Sequence, residues 1–161
     1  MTEESIQTGP AMGAAAPPPQ ERAGGGASAP APTSLSAGAV IRSLLLADEA
    51  VAACTRKVFP VSIDTSAELP YVLYRRAALE QQPQKSGQPG DDTVVMEVDC
   101  LAATYTGSVE LAEAVRSALD FVRGEAAGLR LRACRLTDSE ETWEDDAYVQ
   151  RLVFNVKISR L

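Results

Sequence analysis

The side chains that most often carry chemistry are scarce in this sequence. The chain of 161 residues has no histidine, which excludes Ser-His and Cys-His nucleophiles as well as imidazole bases and metal ligands. Neither G-x-x-x-x-G-K-[ST] nor G-x-G-x-x-G occurs, and the Gly24–Gly26 run does not follow a strand pattern. We therefore predict a protein that is not an enzyme, with no catalytic residue, cofactor or bound metal.

Carboxylates are the one chemical group that clusters along the chain. Six of them fall between residues 138 and 146 (Asp138, Glu140, Glu141, Glu144, Asp145 and Asp146). Divalent cations favour such groups, but the run lacks the glycine and the alternation of a calcium loop. We interpret it as the solvated tip of a hairpin that carries Trp143. That tryptophan either folds back on its own hairpin or anchors a partner protein.

The three cysteines, Cys54, Cys100 and Cys134, show no C-x-x-C spacing. This argues against zinc and redox motifs, and an odd number suits a reducing compartment. We expect them to serve as small buried hydrophobes. The net charge of −7 disfavours nucleic-acid binding, and the densest basic stretch, at Arg130, Arg132 and Arg135, is typical of a solvated strand face.

The composition changes sharply near residue 35. Residues 1–35 are mainly Ala, Gly, Pro, Ser and Thr, which cannot bury enough apolar surface to offset their ordering entropy. We predict a flexible, disordered arm over residues 1–35 and a folded domain over residues 36–161. Glu3 and Glu4 stand where a signal peptide would be basic, and no apolar run is long enough to cross a membrane.

Apolar periodicity predicts the elements of the domain. A first helix is expected to weaken near Asp48 and Glu49, whose charges oppose the helix dipole. The predicted elements are a helix over 36–53, a short extended piece at 57–60, strands over 70–80 and 93–103, a helix over 107–122, and strands over 129–136 and 148–158. The predicted fold is α+β: a mainly antiparallel four-stranded sheet with two helices packed on one face.

Four segments, in order, resemble the tail-terminator or tail-completion proteins of long-tailed bacteriophages. They are AVIRSLLLAD at 39–48, LPYVLY at 69–74, VDCLAATY at 98–105 and LAEAVRSALD at 111–120. Val58-Phe59-Pro60 and the final strand with its acidic tip also fit. The resemblance covers about residues 36–160, and the arm departs from the family pattern.

The resemblance implies a structural virion protein, made in the bacterial host cytoplasm and located in the tail or neck. Such proteins form a ring, usually six-fold, that caps the head-proximal end of the tail tube and stops its polymerisation. The implied partners are further copies of the chain, the tail tube protein and a head-completion or neck protein, with the genome passing through the lumen. No membrane or specific nucleic-acid partner is implied.

Two other functions remain open from the residues alone. One is a neck or head–tail connector subunit of similar size. The other is a ferredoxin-like nucleic-acid-binding module, which needs exposed aromatics on its sheet.

Two surfaces are the predicted interfaces. The long polar loop over 80–92 is expected to contact the tube or the next subunit. The charged sheet face is expected to line the lumen or a subunit seam, with cross-strand ion pairs. The candidate interface residues are Gln84, Lys85, Gln88 and Asp91 in the loop region, Glu97, Asp99, Arg130 and Arg132 on the charged face, and Trp143 at the hairpin.

Overall fold

One mixed sheet of six strands carries three short helices on one face. A computed structural model describes residues 29–63, 66–87 and 90–161, of which residues 31–161 form one compact unit. Most of the predicted arm over residues 1–35 therefore lies outside the described residues. The elements are α1 (Ala37–Ala47), α2 (Glu49–Cys54), β1 (Val58–Pro60), β2 (Tyr71–Glu80), β3 (Asp92–Ala102), α3 (Tyr105–Leu119), β4 (Gly124–Ala126), β5 (Leu129–Glu144) and β6 (Ala147–Arg160).

The strand order across the sheet is β1-β2-β3-β6-β5-β4. The β1–β2 pair is parallel, and every other neighbouring pair is antiparallel. The prediction of a four-stranded antiparallel sheet with two helices is therefore wrong. The sheet gains a three-residue strand at each edge, and the first predicted helix is two helices.

Each added element has a local cause. Asp48 leaves the helical region with ψ 127°, and its carboxylate accepts a hydrogen bond from the amide of Val51 at 3.0 Å. It thereby caps α2 and ends α1, which confirms the weakening predicted at this position. After α3, Phe121 adopts φ 66° and Gly124 adopts φ 144°, and these residues redirect the chain into β4.

The predicted acidic turn over residues 138–146 is mostly strand. Only Asp145 and Asp146 form the turn, with φ of 49° and 61°, which is the positive φ at both central residues that a two-residue hairpin loop requires. Exposed charged residues on both sides of β5 produce no apolar alternation, so sequence periodicity did not reveal the strand. The hairpin as a whole was predicted; its length was not.

Two bulges change which side of β5 is buried. The register with β6 shifts between Leu131 and Ala133 and again between Leu136 and Asp138. Each shift adds one unpaired residue and exchanges the two faces of the strand. Cys134 therefore lies in the core, whereas Ala133, which the simple alternation had placed there, is only partly buried.

The core lies between the helices and the sheet. On the sheet side it is formed by the residues of β2, β3, β6 and β5 that face the helices. Its largest fully buried side chains include Phe154, Met96, Ile158, Ile41, Leu45, Leu111, Leu119 and Leu129. Burying each such side chain stabilises the fold by about 1.5–3 kcal/mol. Among the described helices, none is long and apolar enough to cross a bilayer.

Candidate assembly surfaces

The sheet face opposite the helices carries two cross-strand ion pairs. Arg75 on β2 pairs with Glu97 on β3, and Arg151 on β6 pairs with Asp99 on β3. The Asp99 carboxylate accepts from Nε of Arg151 at 3.0 Å and from Nη2 at 3.4 Å. These hydrogen bonds raise the pKa of the Arg151 guanidinium. The expected ion pairing of Glu97 and Asp99 is thus present.

Arg130 and Arg132, which were also predicted for this face, do not take part in these two ion pairs. Arg130 is hydrogen-bonded to Glu125 of β4 at 3.1 Å, and both side chains are largely exposed. Arg132 lies 3.7 Å from Asp91 at the start of the β3 region. Through β6, Glu97 and Asp99 lie level with Asp138 and Glu140 of β5, so Arg130 and Arg132 lie further along the strand. The predicted charged face is therefore divided into a central patch and two peripheral pairs.

The loop between β2 and β3 remains accessible where it is described. Gln84 and Lys85 are exposed, and Asp91 is half-buried beside Arg132. Gln88 lies outside the described residues. At the base of the loop, the hydroxyl of Ser34 donates to the carboxylate of Asp92 at 2.5 Å.

Three aromatic side chains meet at the end of the β5–β6 hairpin. The Trp143 ring lies 4.6 Å from the Tyr148 ring, and the Tyr105 ring lies 5.9 Å from Tyr148 on its other side. Trp143 folds back on its own hairpin, which was one of the two predicted alternatives. It nevertheless stays 55% exposed, and Tyr105 is 49% exposed.

Polar contacts fix this aromatic cluster. Glu141 accepts hydrogen bonds from the Tyr105 hydroxyl and from the Gln150 amide, each at 3.0 Å. The hydrogen bond to Glu141 and the charge of that carboxylate raise the pKa of Tyr105. Thr104 caps α3 by accepting from the amide of Gly107, so the helix begins at Tyr105 and not at 107 as predicted. This earlier start places Tyr105 beside the hairpin, which the sequence pattern did not reveal.

The outer edge of β5 is unpaired over much of its length. β4 covers only Leu129 to Leu131, and the chain after α3 covers the next part, where Phe121 donates to Cys134 and Asp120 accepts from Leu136. In the described part of the chain, no strand pairs with that edge beyond this point. We call residues 139–144 the open edge of β5.

Of the three cysteines, Cys100 and Cys134 are buried, whereas Cys54 is partly exposed. Burial raises the pKa of the Cys134 thiol to about 12, and it also raises the pKa of Cys100. Across residues 29–63, 66–87 and 90–161, no group of three or more acidic, histidine or cysteine side chains is placed to hold a metal ion.

Comparisons with known proteins agree with a surface-based role. Residues 39–159 match the family described as Tail completion protein gp17. A chain in the virion of a native gene transfer agent (GTA) particle has the same fold, with a TM-score of 0.65, 20% identity, and coverage of 76% of this chain and 96% of that chain. A second solved chain aligns with a TM-score of 0.50 and 10% identity over 76% of this chain and 95% of its own.

No curated protein matches the sequence. The family match spans most of the chain and nearly all of the described compact unit, so it settles the family. The chain belongs to the Tail completion protein gp17 family, and it is a structural protein of the virion, located in the tail or neck.

Proposed function

We propose that copies of this chain close into a ring, six-fold by resemblance to tail terminators, that caps the head-proximal end of the tail tube. The ring ends tube polymerisation and joins the tail to the head. The observation that carries the proposal is the tail completion family match over residues 39–159. The fold shared with a chain of a gene transfer agent virion supports the same placement.

The distribution of surface features supports a closed ring. The two edges of the sheet differ, because β1 is short and parallel to its neighbour whereas β5 presents a long open edge. Contacts between two different surfaces of the same chain are heterologous, and heterologous contacts that close produce rings. The exposed Gln84 and Lys85 and the central charged patch are the further surfaces that we assign to contacts with the tube or the next subunit.

The proposed partners are further copies of the chain, the tail tube protein and a neck or head-completion protein. The proposed role needs no catalysis, and the carboxylates and arginines of the charged patch act as contact residues. A neck connector subunit would use the same fold, but the family described for residues 39–159 is named for tail completion. We therefore favour the tube cap.

Inactivating the gene in the virus or gene transfer agent that encodes it tests the proposal. Particles made without the chain are expected to contain full heads that lack tails, together with free tail tubes of variable length. Adding the purified chain to these extracts is expected to restore tailed particles, as counted by electron microscopy. Tubes of normal, uniform length that attach to heads without the chain would contradict the proposal.

A further inference from the structure

We propose that the open edge of β5 is a docking site for an extended, basic segment of a different protein chain, which adds to the sheet as a further strand. This inference does not depend on ring formation, since it concerns a surface of the single chain. It would identify one route by which this virion protein contacts a neighbour.

The backbone of the open edge has hydrogen-bonding groups available. Glu144 and Ala147 flank a two-residue turn and form a hydrogen-bonded pair, so hydrogen-bonded and non-hydrogen-bonded positions alternate from there. The backbone groups of Glu141 and Trp143 therefore point away from β6. Asp138 accepts from the amide of Ser139 at 2.8 Å, which marks where the open edge begins.

The strands at the two ends of the sheet are short, and β1 pairs only with Val72–Tyr74 of β2, so residues 75–80 of β2 also lack a strand neighbour on that side in the described part of the chain. β1 has three residues and ends at Pro60, which has no backbone N–H to donate. β4 also has three residues and begins at Gly124. Natural proteins shorten or cover exposed edges in this way to prevent unwanted pairing. Charged side chains also protect an edge, and the open edge of β5 carries Glu140, Glu141 and Glu144, so a strand that pairs there must offset these charges.

Side chains beside the open edge supply an anchor. Trp143 and Tyr105 are about half exposed and are held in place by Tyr148 and Glu141. Tryptophan and tyrosine are the residues that most often dominate binding energy at protein interfaces. Strand addition combines main-chain hydrogen bonds with such side-chain contacts.

Charge determines which kind of chain fits. Glu140, Glu141, Glu144, Asp145 and Asp146 lie along or beside the edge, and no lysine or arginine lies between residues 136 and 150. Two copies that paired through the same edge would bring these carboxylates together, which is unfavourable. A strand with lysine or arginine at alternate positions is complementary, and complementary charge also speeds association.

Trp143 provides the assay because it is the sole tryptophan in the sequence. The full chain is titrated with three synthetic peptides of eight residues: alternating Lys-Val, alternating Glu-Val, and the Lys-Val peptide N-methylated at every residue. Trp143 fluorescence is expected to shift with Lys-Val only, and the other two peptides are expected to bind at least about tenfold more weakly.

Matched variants locate the site. Glu140→Gln/Glu144→Gln is expected to weaken Lys-Val binding about fivefold or more, whereas Glu110→Gln/Glu113→Gln on α3 removes the same charge and is expected to leave it within about twofold. Circular dichroism checks that both variants fold. Equal effects of the two variants, equal binding of the methylated peptide, or no fluorescence change with Lys-Val would each overturn the proposal.

Self-association is the remaining outcome. If Trp143 fluorescence changes with protein concentration in the absence of peptide, and Glu140→Gln/Glu144→Gln strengthens that change, the edge pairs with a second copy. That result would overturn the assignment to a basic partner. The peptide assay uses the isolated chain, so a negative result there does not affect the tube-cap proposal. Likewise, a negative result in the gene-inactivation experiment does not affect the proposed docking site on β5.

Discussion

Individual charges on the sheet contribute unequally, and burial decides which of them matter. The side chains of Arg151 and Asp99 are 30% and 19% exposed, whereas those of Arg130 and Glu125 are 44% and 56% exposed. An exposed ion pair is screened by water and gains little, while removing one partner from a half-buried pair leaves a poorly solvated charge.

We expect Arg151→Ala to lower the free energy of unfolding by about 1 kcal/mol, and Arg130→Ala to change it by about 0–0.5 kcal/mol. Urea denaturation followed by circular dichroism measures both. Arg130→Ala is the matched control, because it removes the same group from a pair on the same sheet. Equal losses for the two variants would show that the central patch has no special role in stability.

The three cysteines are expected to differ in reactivity. Cys100 and Cys134 are fully buried, and burial raises the pKa of both thiols, that of Cys134 to about 12. A raised pKa keeps each thiol neutral and unreactive in the folded chain, so its contribution to stability is fully present below the ordinary thiol pKa and is lost progressively as the pH rises from that value through the folded one. Cys54 is partly exposed.

A native-state titration with a thiol reagent at pH 8 is therefore expected to label Cys54 rapidly and the other two slowly. Denaturant provides the control, since all three should then react at similar rates. Rapid labelling of two or three thiols in the native chain would contradict the buried positions of Cys100 and Cys134.

At the scale of elements, the boundary between α1 and α2 depends on one side chain. The Asp48 carboxylate accepts from the amide of Val51, and without it the first turn of α2 loses its cap. We expect Asp48→Ala to lower the free energy of unfolding by about 1 kcal/mol. Glu49→Ala, one position further on, keeps the cap and should cost less; a larger loss for Glu49→Ala in thermal unfolding would contradict this account.

Strong apolar periodicity made β2, β3, β6 and α3 predictable from the sequence. β1 was predicted as a short extended piece at residues 57–60, but its partner strand and direction were not, and β4 was not predicted at all, because three residues carry little periodicity and pairing depends on distant parts of the chain. The parallel pairing of Val58 with Val72, for example, joins two strands in a direction that their local sequence patterns do not specify.

The candidate surfaces, like the fold, were predicted only in part. The ion pairs of Glu97 and Asp99 follow from alternation along a strand, so their pairing was expected. The aromatic cluster was missed because Tyr105 lies on a different element from Trp143 and Tyr148, and because the early start of α3 sets its position. The open edge of β5 depends on sheet order, which local patterns do not contain.

At the scale of the whole molecule, the surfaces fall on different sides of one sheet. The charged patch lies on the sheet face away from the helices, and the open edge lies along β5. The exposed loop residues lie where β2 ends and β3 begins. A subunit that contacts two neighbouring copies, a tube below and a neck above needs several independent surfaces of this kind. These are the surfaces that the proposed contacts with neighbouring copies, the tube and the neck would use.

Imaging intact particles by cryo-electron microscopy, with this chain fitted into the density, tests the tube-cap proposal most directly. We expect one closed ring of copies, six by resemblance to tail terminators, between the last layer of the tail tube and the neck. Copies of the chain repeated along the tube, or confined to the end of the tail farthest from the head, would contradict the proposal.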